Sequence, residues 1–139
     1  PYTIVIGAHY DHLGLGHQSG SLEANSVGQI HNGADDNASG TAGMIELARH
    51  FAKNGVKENH NFLFLAFSAE EMGLIGSKKY TEYPTIDLST VSFMLNMDMI
   101  GRLNETKSLV VGGVGTAPDF VPLFTNLKGD FKMKLDSAG

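Results

Sequence analysis

The sequence predicts an α/β fold, a sandwich built on largely parallel strands. Three observations lead there. Strand-like and helix-like segments alternate along the chain, the strand-like runs are apolar almost throughout, and acidic residues and histidines gather just past their carboxyl ends. A strand that is apolar at nearly every position is covered on both faces, as strands of parallel sheets are. In such sheets the chemistry collects at the carboxyl edge.

Each element has its own local reason. Tyr2 to Ala8 is short, β-branched and nearly continuously apolar, which predicts the first strand. Residues 13 to 33 are rich in Gly, Ser, Asn and His and form a long loop, a length that in a compact domain signals function or mobility. From Ala38 onward, Ala42, Ile45 and Ala48 recur at helical spacing, with Leu47, Phe51 and Ala52 on adjoining faces. Asp36, Asn37 or Ser39 can cap this helix, and Asn54-Gly55 stops it after about Lys53. Phe62 to Phe67 is a second buried strand, and Leu74 to Tyr83 a short helix closed by Pro84. Val91 to Met97 is a third strand, and Ser108 to Val111 a fourth that ends in Gly112-Gly113. Ala117 to Leu127 reads as a last helix, begun or interrupted near Pro118 and Pro122.

Composition narrows the function classes. The 139 residues suit one domain with a core of its own, and the lack of cysteine excludes a disulfide scaffold, a Cys-ligated zinc ribbon and a thiol nucleophile. Ten Lys+Arg against fifteen Asp+Glu, a net charge of −5 and no basic block argue against a nucleic-acid partner. No apolar stretch approaches the roughly 20 residues of a membrane span, and neither a span nor a signal peptide is expected within these residues. The chain starts without Met inside a strand and stops at Asp136-Ser-Ala-Gly139, so it is expected to be a piece of a longer protein.

The polar residues fall where the fold wants them. His9, Asp11 and His12 follow the first strand, Glu70-Glu71 the second and Asp98 the third, while Asp35-Asp36 sits at the mouth of the first helix. A lone strand-end histidine is usually a satisfied core residue. Here, however, Asp11 lies two residues from His9, so that the imidazole can ligate a metal while a carboxylate holds its other nitrogen. His12 and His17 read as supporting or surface residues, and His31, His50 and His60 as non-ligands. Capping explains one carboxylate of Asp35-Asp36 and leaves the other to bridge two cations. Adjacent Glu70 and Glu71 point apart, which lets one bind metal while the other takes a proton from water. Asp98, between Met97 and Met99, needs a partner or a cation in such apolar company. No G-x-S-x-G elbow, H-E-x-x-H helix, P-loop or EF-hand loop competes with this reading.

Four segments then resemble one family in order and spacing. They are Gly7-Ala-His-Tyr-Asp-His12, Asn32-Gly-Ala-Asp-Asp-Asn-Ala-Ser-Gly40, Phe67-Ser-Ala-Glu-Glu-Met-Gly-Leu-Ile-Gly-Ser77 and Asn96-Met-Asp-Met-Ile-Gly101. Together they resemble the di-zinc aminopeptidases of clan MH, whose relatives include glutamate carboxypeptidase II, the transferrin receptor and glutaminyl cyclase. The resemblance implies a three-layer α/β/α sandwich with a mixed, largely parallel sheet, of which residues 1–139 form a partial catalytic domain truncated at its C-terminus. It implies two zinc ions, one on His9 and Asp98, the other on Glu71, with Asp35 as the bridge. It further implies Glu70 as general acid/base, Asp11 as the carboxylate behind His9, and a non-proline cis peptide at Asp35-Asp36.

The family's second zinc takes a further histidine from far downstream, and no His follows His60 here. The resemblance therefore implies a peptide substrate for the intact protein and an inactive fragment, inclined to self-associate through an uncovered sheet edge. It also implies an exported location, periplasmic or extracellular. Two rival readings are a single-zinc acyltransferase like glutaminyl cyclase and a non-catalytic binding domain like the transferrin receptor. The full set of His9, Asp35, Glu71, Asp98 and Glu70 speaks against both.

Overall fold

A computed structural model describes residues 2–17, 20–103, 105–127 and 129–138. The chain divides into two compact units, Pro1–Gly101 and Arg102–Gly139. In the first, β1 (Thr3–His9) lies between β2 (Asn61–Phe67) and β3 (Val91–Asn96), and both pairings are parallel. The register sets Ile6 beside Phe64 and Leu95, and brings His9 level with Phe67 at the carboxyl edge.

Strand alternation decides which residues meet the helix α1 (Ala38–Lys53). Ile4, Ile6 and Ala8 share one face, and there Ile6 and Ala8 form the buried core with Met44 of α1. Leu47, Phe51, Phe62, Phe64 and Met97 pack around them, with the Phe51 and Phe62 rings stacked at 4.1 Å. Burying a side chain the size of Met44 is worth about 1.5–3 kcal/mol. Of the three candidate caps, Asn37 is the one used: its side chain accepts from the Gly40 N–H at 3.0 Å. The helix ends at Asn54, ahead of Gly55 with φ of +71°, as the Asn-Gly pair predicts. α2 (Ile75–Glu82) is one residue shorter at each end than predicted, and its Tyr80 meets Phe67 edge-on at 6.5 Å.

The second unit departs further from the sequence reading. β4 (Ser108–Val111) pairs in parallel with β5 (Lys132–Leu135), a strand the sequence reading does not include. Lys132-Met-Lys-Leu135 does alternate with period two, but four residues with two charges give too short a pattern to register. The helix expected over 117–127 is interrupted near its prolines, as read: a 3-10 turn at Pro118–Phe120 leads into α3 (Val121–Asn126), and another 3-10 turn at Val114–Thr116 precedes them. Pro118 and Pro122 each start a new turn because proline suits a first turn and cannot continue the ladder of the one before.

The class is α/β, and every strand pairing among the described residues is parallel. Among those residues no helix is long and apolar enough to cross a membrane.

Candidate metal centre

His9 is the last residue of β1 and is 2% exposed. Its carbonyl accepts from the Thr41 hydroxyl at 2.9 Å, which ties the strand end to α1. Its Nδ1 donates to the backbone carbonyl of Asp11 at 3.1 Å, so a neutral ring turns the lone pair of Nε2 the other way. There Nε2 is buried without a hydrogen-bond partner, and facing it are Asp36 Oδ1 at 3.3 Å, Asp98 Oδ1 at 3.5 Å and Glu70 Oε2 at 3.8 Å. A lone pair aimed at three carboxylates is repulsive until a proton or a cation comes between them. Burial by itself lowers the pKa of His9, but the carboxylates of Asp98, Glu70 and Asp36 and the Asp11 carbonyl outweigh it and leave it above its ordinary value. Glu70 is raised as well, first by burial and then by Glu71, Asp98 and Asp36, against the opposing pull of His9.

The adjacent aspartates divide their work. Asp36 sends Oδ1 toward His9 and Oδ2 toward His12, whose Nδ1 is 4.0 Å away. Asp35 turns toward the segment after β3, where its Oδ1 accepts from the Gly101 N–H at 2.8 Å and from the Ser39 hydroxyl at 3.3 Å. The sequence reading put the bridging position on Asp35; here the residue with one oxygen toward each imidazole is Asp36. The non-proline cis peptide is likewise Asp36–Asn37, which corrects the expected Asp35–Asp36. Asn37, 1% exposed, completes the clasp: it donates to the Met97 carbonyl at 3.0 Å and accepts from the Met99 N–H at 3.3 Å. Sequence reasoning credits Asn37 only with a possible cap; its grip on the segment bearing Asp98 has no local signature.

Asp11 also differs from its expected part. Its backbone carbonyl, not its carboxylate, takes the His9 hydrogen bond, and Oδ1 stands 3.7 Å from Nδ1. The carboxylate accepts instead from the backbone N–H of Glu70 at 3.1 Å and of Glu71 at 3.3 Å. It thereby fixes the turn after β2 from which both glutamates project. Glu71 meets His12, whose Nδ1 lies 2.7 Å from Oε1. Among the described residues two sets of three donors result, His9–Asp36–Asp98 and His12–Asp36–Glu71, with Asp36 common to both. Of the residues read from the sequence, the structure brings His9, Asp98, Glu70 and Glu71 to one edge, places Asp11 behind them, and directs Asp35 elsewhere. Two cavities flank the cluster. One of about 320 Å³ is bordered by Phe67, Glu70, Leu74, Met94 and Asp98, the other, of about 150 Å³, by Asp11, His12, Ser68 and Glu71.

A buried imidazole nitrogen faced by carboxylates, with Asp36 common to both donor sets at the edge of a parallel sheet, is a donor set that could hold a divalent cation. The model of peptidase family M28 matches residues 1–135, and the chain belongs to that family. Aminopeptidase YwaD of Bacillus subtilis is 34% identical over 111 residues, covering 78% of this chain and 20% of that protein. A probable aminopeptidase of Saccharomyces cerevisiae is 36% identical over 133 residues, covering 88% and 33%. Leucine aminopeptidase 1 of Ajellomyces capsulatus is 36% identical over 124 residues, covering 86% and 30%. The chain thus spans about a fifth to a third of the length of these relatives. No solved structure matches it at a significant level.

Proposed function

We propose that the protein is a zinc-dependent aminopeptidase that releases N-terminal residues from peptides, and that these residues are the first part of its catalytic domain, a three-layer sandwich when complete. The observation that carries this reading is His9 Nε2, buried, unpartnered and faced by three carboxylates within a family of peptidases. His9, Asp36 and Asp98 would hold one ion, and Asp36 with Glu71 would contribute to a second. When bound, zinc supplies Lewis acidity that polarises the scissile carbonyl and makes water a nucleophile near neutral pH.

The chain's own residues do the rest. Glu70 stands beside the His9 group, its Oε2 3.8 Å from His9 Nε2. It takes the proton of the attacking water and passes it to the leaving amine. Asp11 keeps Glu70 in place through the backbone N–H, and Asp35, Ser39 and Asn37 keep Asp98 in place through the segment from Met97 to Gly101.

The test is Glu70→Gln in the full-length enzyme, assayed on an aminoacyl anilide with metal content measured alongside. The expected result is a kcat lower by about 10²–10⁴-fold with the metal content unchanged. Turnover near that of the wild type removes Glu70 from the mechanism, and a wild-type protein that holds no metal sinks the whole reading.

A further inference from the structure

His12 stands in the second set of three donors, with Asp36 and Glu71, as a ligand or as a support. We propose that His12 is a positioning residue rather than a metal ligand: its Nδ1–H donates to Glu71 Oε1 and leaves Oε2 as the oxygen offered to the second ion. This rests on the two-ion reading above.

Distances decide between the two roles. Two donors on one tetrahedral zinc, each about 2.0–2.1 Å from it, stand about 3.3 Å apart. His9 Nε2 meets that spacing with both Asp36, at 3.3 Å, and Asp98, at 3.5 Å. His12 Nδ1 does not. It is 2.7 Å from Glu71 Oε1, a separation short for co-ligands and ordinary for a charge-assisted hydrogen bond, and 4.0 Å from Asp36 Oδ2, too far for a shared ion.

The surroundings hold the imidazole in that role. A Cβ built on Gly33, whose φ is +62°, would fall 2.8 Å from His12 Cβ and Cγ, so the glycine's bare backbone is the wall behind the ring. Gly33 in turn accepts from the Ala38 N–H at 3.0 Å, which joins that wall to the start of α1. Across the loop, His31 lies 6.4 Å from the His12 ring, and His31 is itself fixed by Ser21 at 2.9 Å and the Gln29 carbonyl at 3.0 Å. Ser26, 4% exposed, donates to Ser21 at 2.8 Å and closes this chain of contacts. Ser21, Ser26, Gln29 and His31 thus form one set of contacts beside His12, which itself reaches a glutamate 59 residues away.

Stepwise titration of the metal-free full-length protein tests this, with Zn²⁺ by calorimetry and with Co²⁺ by its visible absorption, in the wild type, His12→Ala and His12→Asn. Asparagine carries an amide nitrogen near the place of Nδ1 and can donate the same bond. His12→Ala is expected to weaken one of two ions by about 10–100-fold, the usual cost of removing a ligand's hydrogen-bond partner, and to leave the other unchanged as proof of folding. His12→Asn is expected to restore most of the loss, with no change in the Co²⁺ bands that report the donor atoms. Wild-type affinity for both ions in His12→Ala overturns the proposal. So does a loss that Asn fails to repair with altered Co²⁺ bands, since that marks His12 as a ligand. Failure of the two-ion reading shows separately, as a wild-type protein that takes up fewer than two ions.

Discussion

His9 and His12 are three residues apart and are held in opposite ways. His9 ends a central strand, is 2% exposed, and has its Nδ1 satisfied by a backbone carbonyl and its Nε2 by nothing. His12 opens a loop, is partly exposed, and has its Nδ1 satisfied by a carboxylate. The difference teaches how the same side chain becomes a donor in one place and a support in the other. What matters is whether an unpaired nitrogen is left facing the carboxylates, and a strand buried between two neighbours is better at enforcing that than a loop.

The largest effect is expected of His9→Ala. It should abolish binding of the first ion and with it turnover, a larger loss than that expected of His12→Ala, as calorimetric titration of the two variants would show. Equal losses in both would erase the distinction drawn here.

The aspartate pair sharpens it next. Asp36→Asn should weaken both ions, because one oxygen serves each donor set. Asp35→Ala should leave both bound and cost about 0.5–1.5 kcal/mol of stability, from the lost hydrogen bond to the exposed Gly101 N–H and the loosened Ser39. Metal content and denaturant unfolding of the two variants decide it. The opposite pattern would return the bridge to Asp35.

Two glycines offer a comparison of similar size. A Cβ at Gly40 of α1 would collide with the Met97 carbonyl, next to Asp98, and one at Gly76 of α2 with the Ser68 carbonyl, just ahead of the glutamates. Each Gly→Ala change should cost about 1–3 kcal/mol through a forced backbone shift. Gly40→Ala should weaken chiefly the first ion and Gly76→Ala chiefly the second, so a titration in which both variants lose the same ion contradicts the assignment of segments to donor sets.

The smallest effect expected is on pH dependence. His9 and Glu70 both have pKa values raised in the folded chain, so the metal-free fold binds more protons than the unfolded one. Their contribution to stability is fully present below the unfolded pKa of each, about 4.3 for Glu and 6.5 for His, and is lost as pH rises through the folded value. Metal-free protein should therefore lose melting temperature between about pH 5 and 8, whereas ions compete with those same protons and should reverse the slope. A metal-free melting temperature that rises over this range refutes the charge arrangement around His9.

Much of the site was legible without coordinates because it is tied to periodic structure. The apolar runs mark β1, β2 and β3, and His9, Glu70, Glu71 and Asp98 stand at or just beyond their ends, where parallel sheets gather their chemistry. The same periodicity gives α1 its span to the residue. Away from periodic elements that guidance stops. Whether Asp35 or Asp36 turns toward His9 depends on the path of an irregular turn, and what settles it is the demand of the Gly101, Ile100 and Met99 N–H groups for acceptors, which Asp35, Ser39 and Asn37 meet. Asp11 likewise answers to two backbone N–H groups some 60 residues on, and His12 to a glutamate equally distant. Sequence alone determined which residues reach the edge, since strand ends are set by local pattern. Only the tertiary structure decided what each one faces there, because backbone donors from distant segments compete for the same few carboxylates.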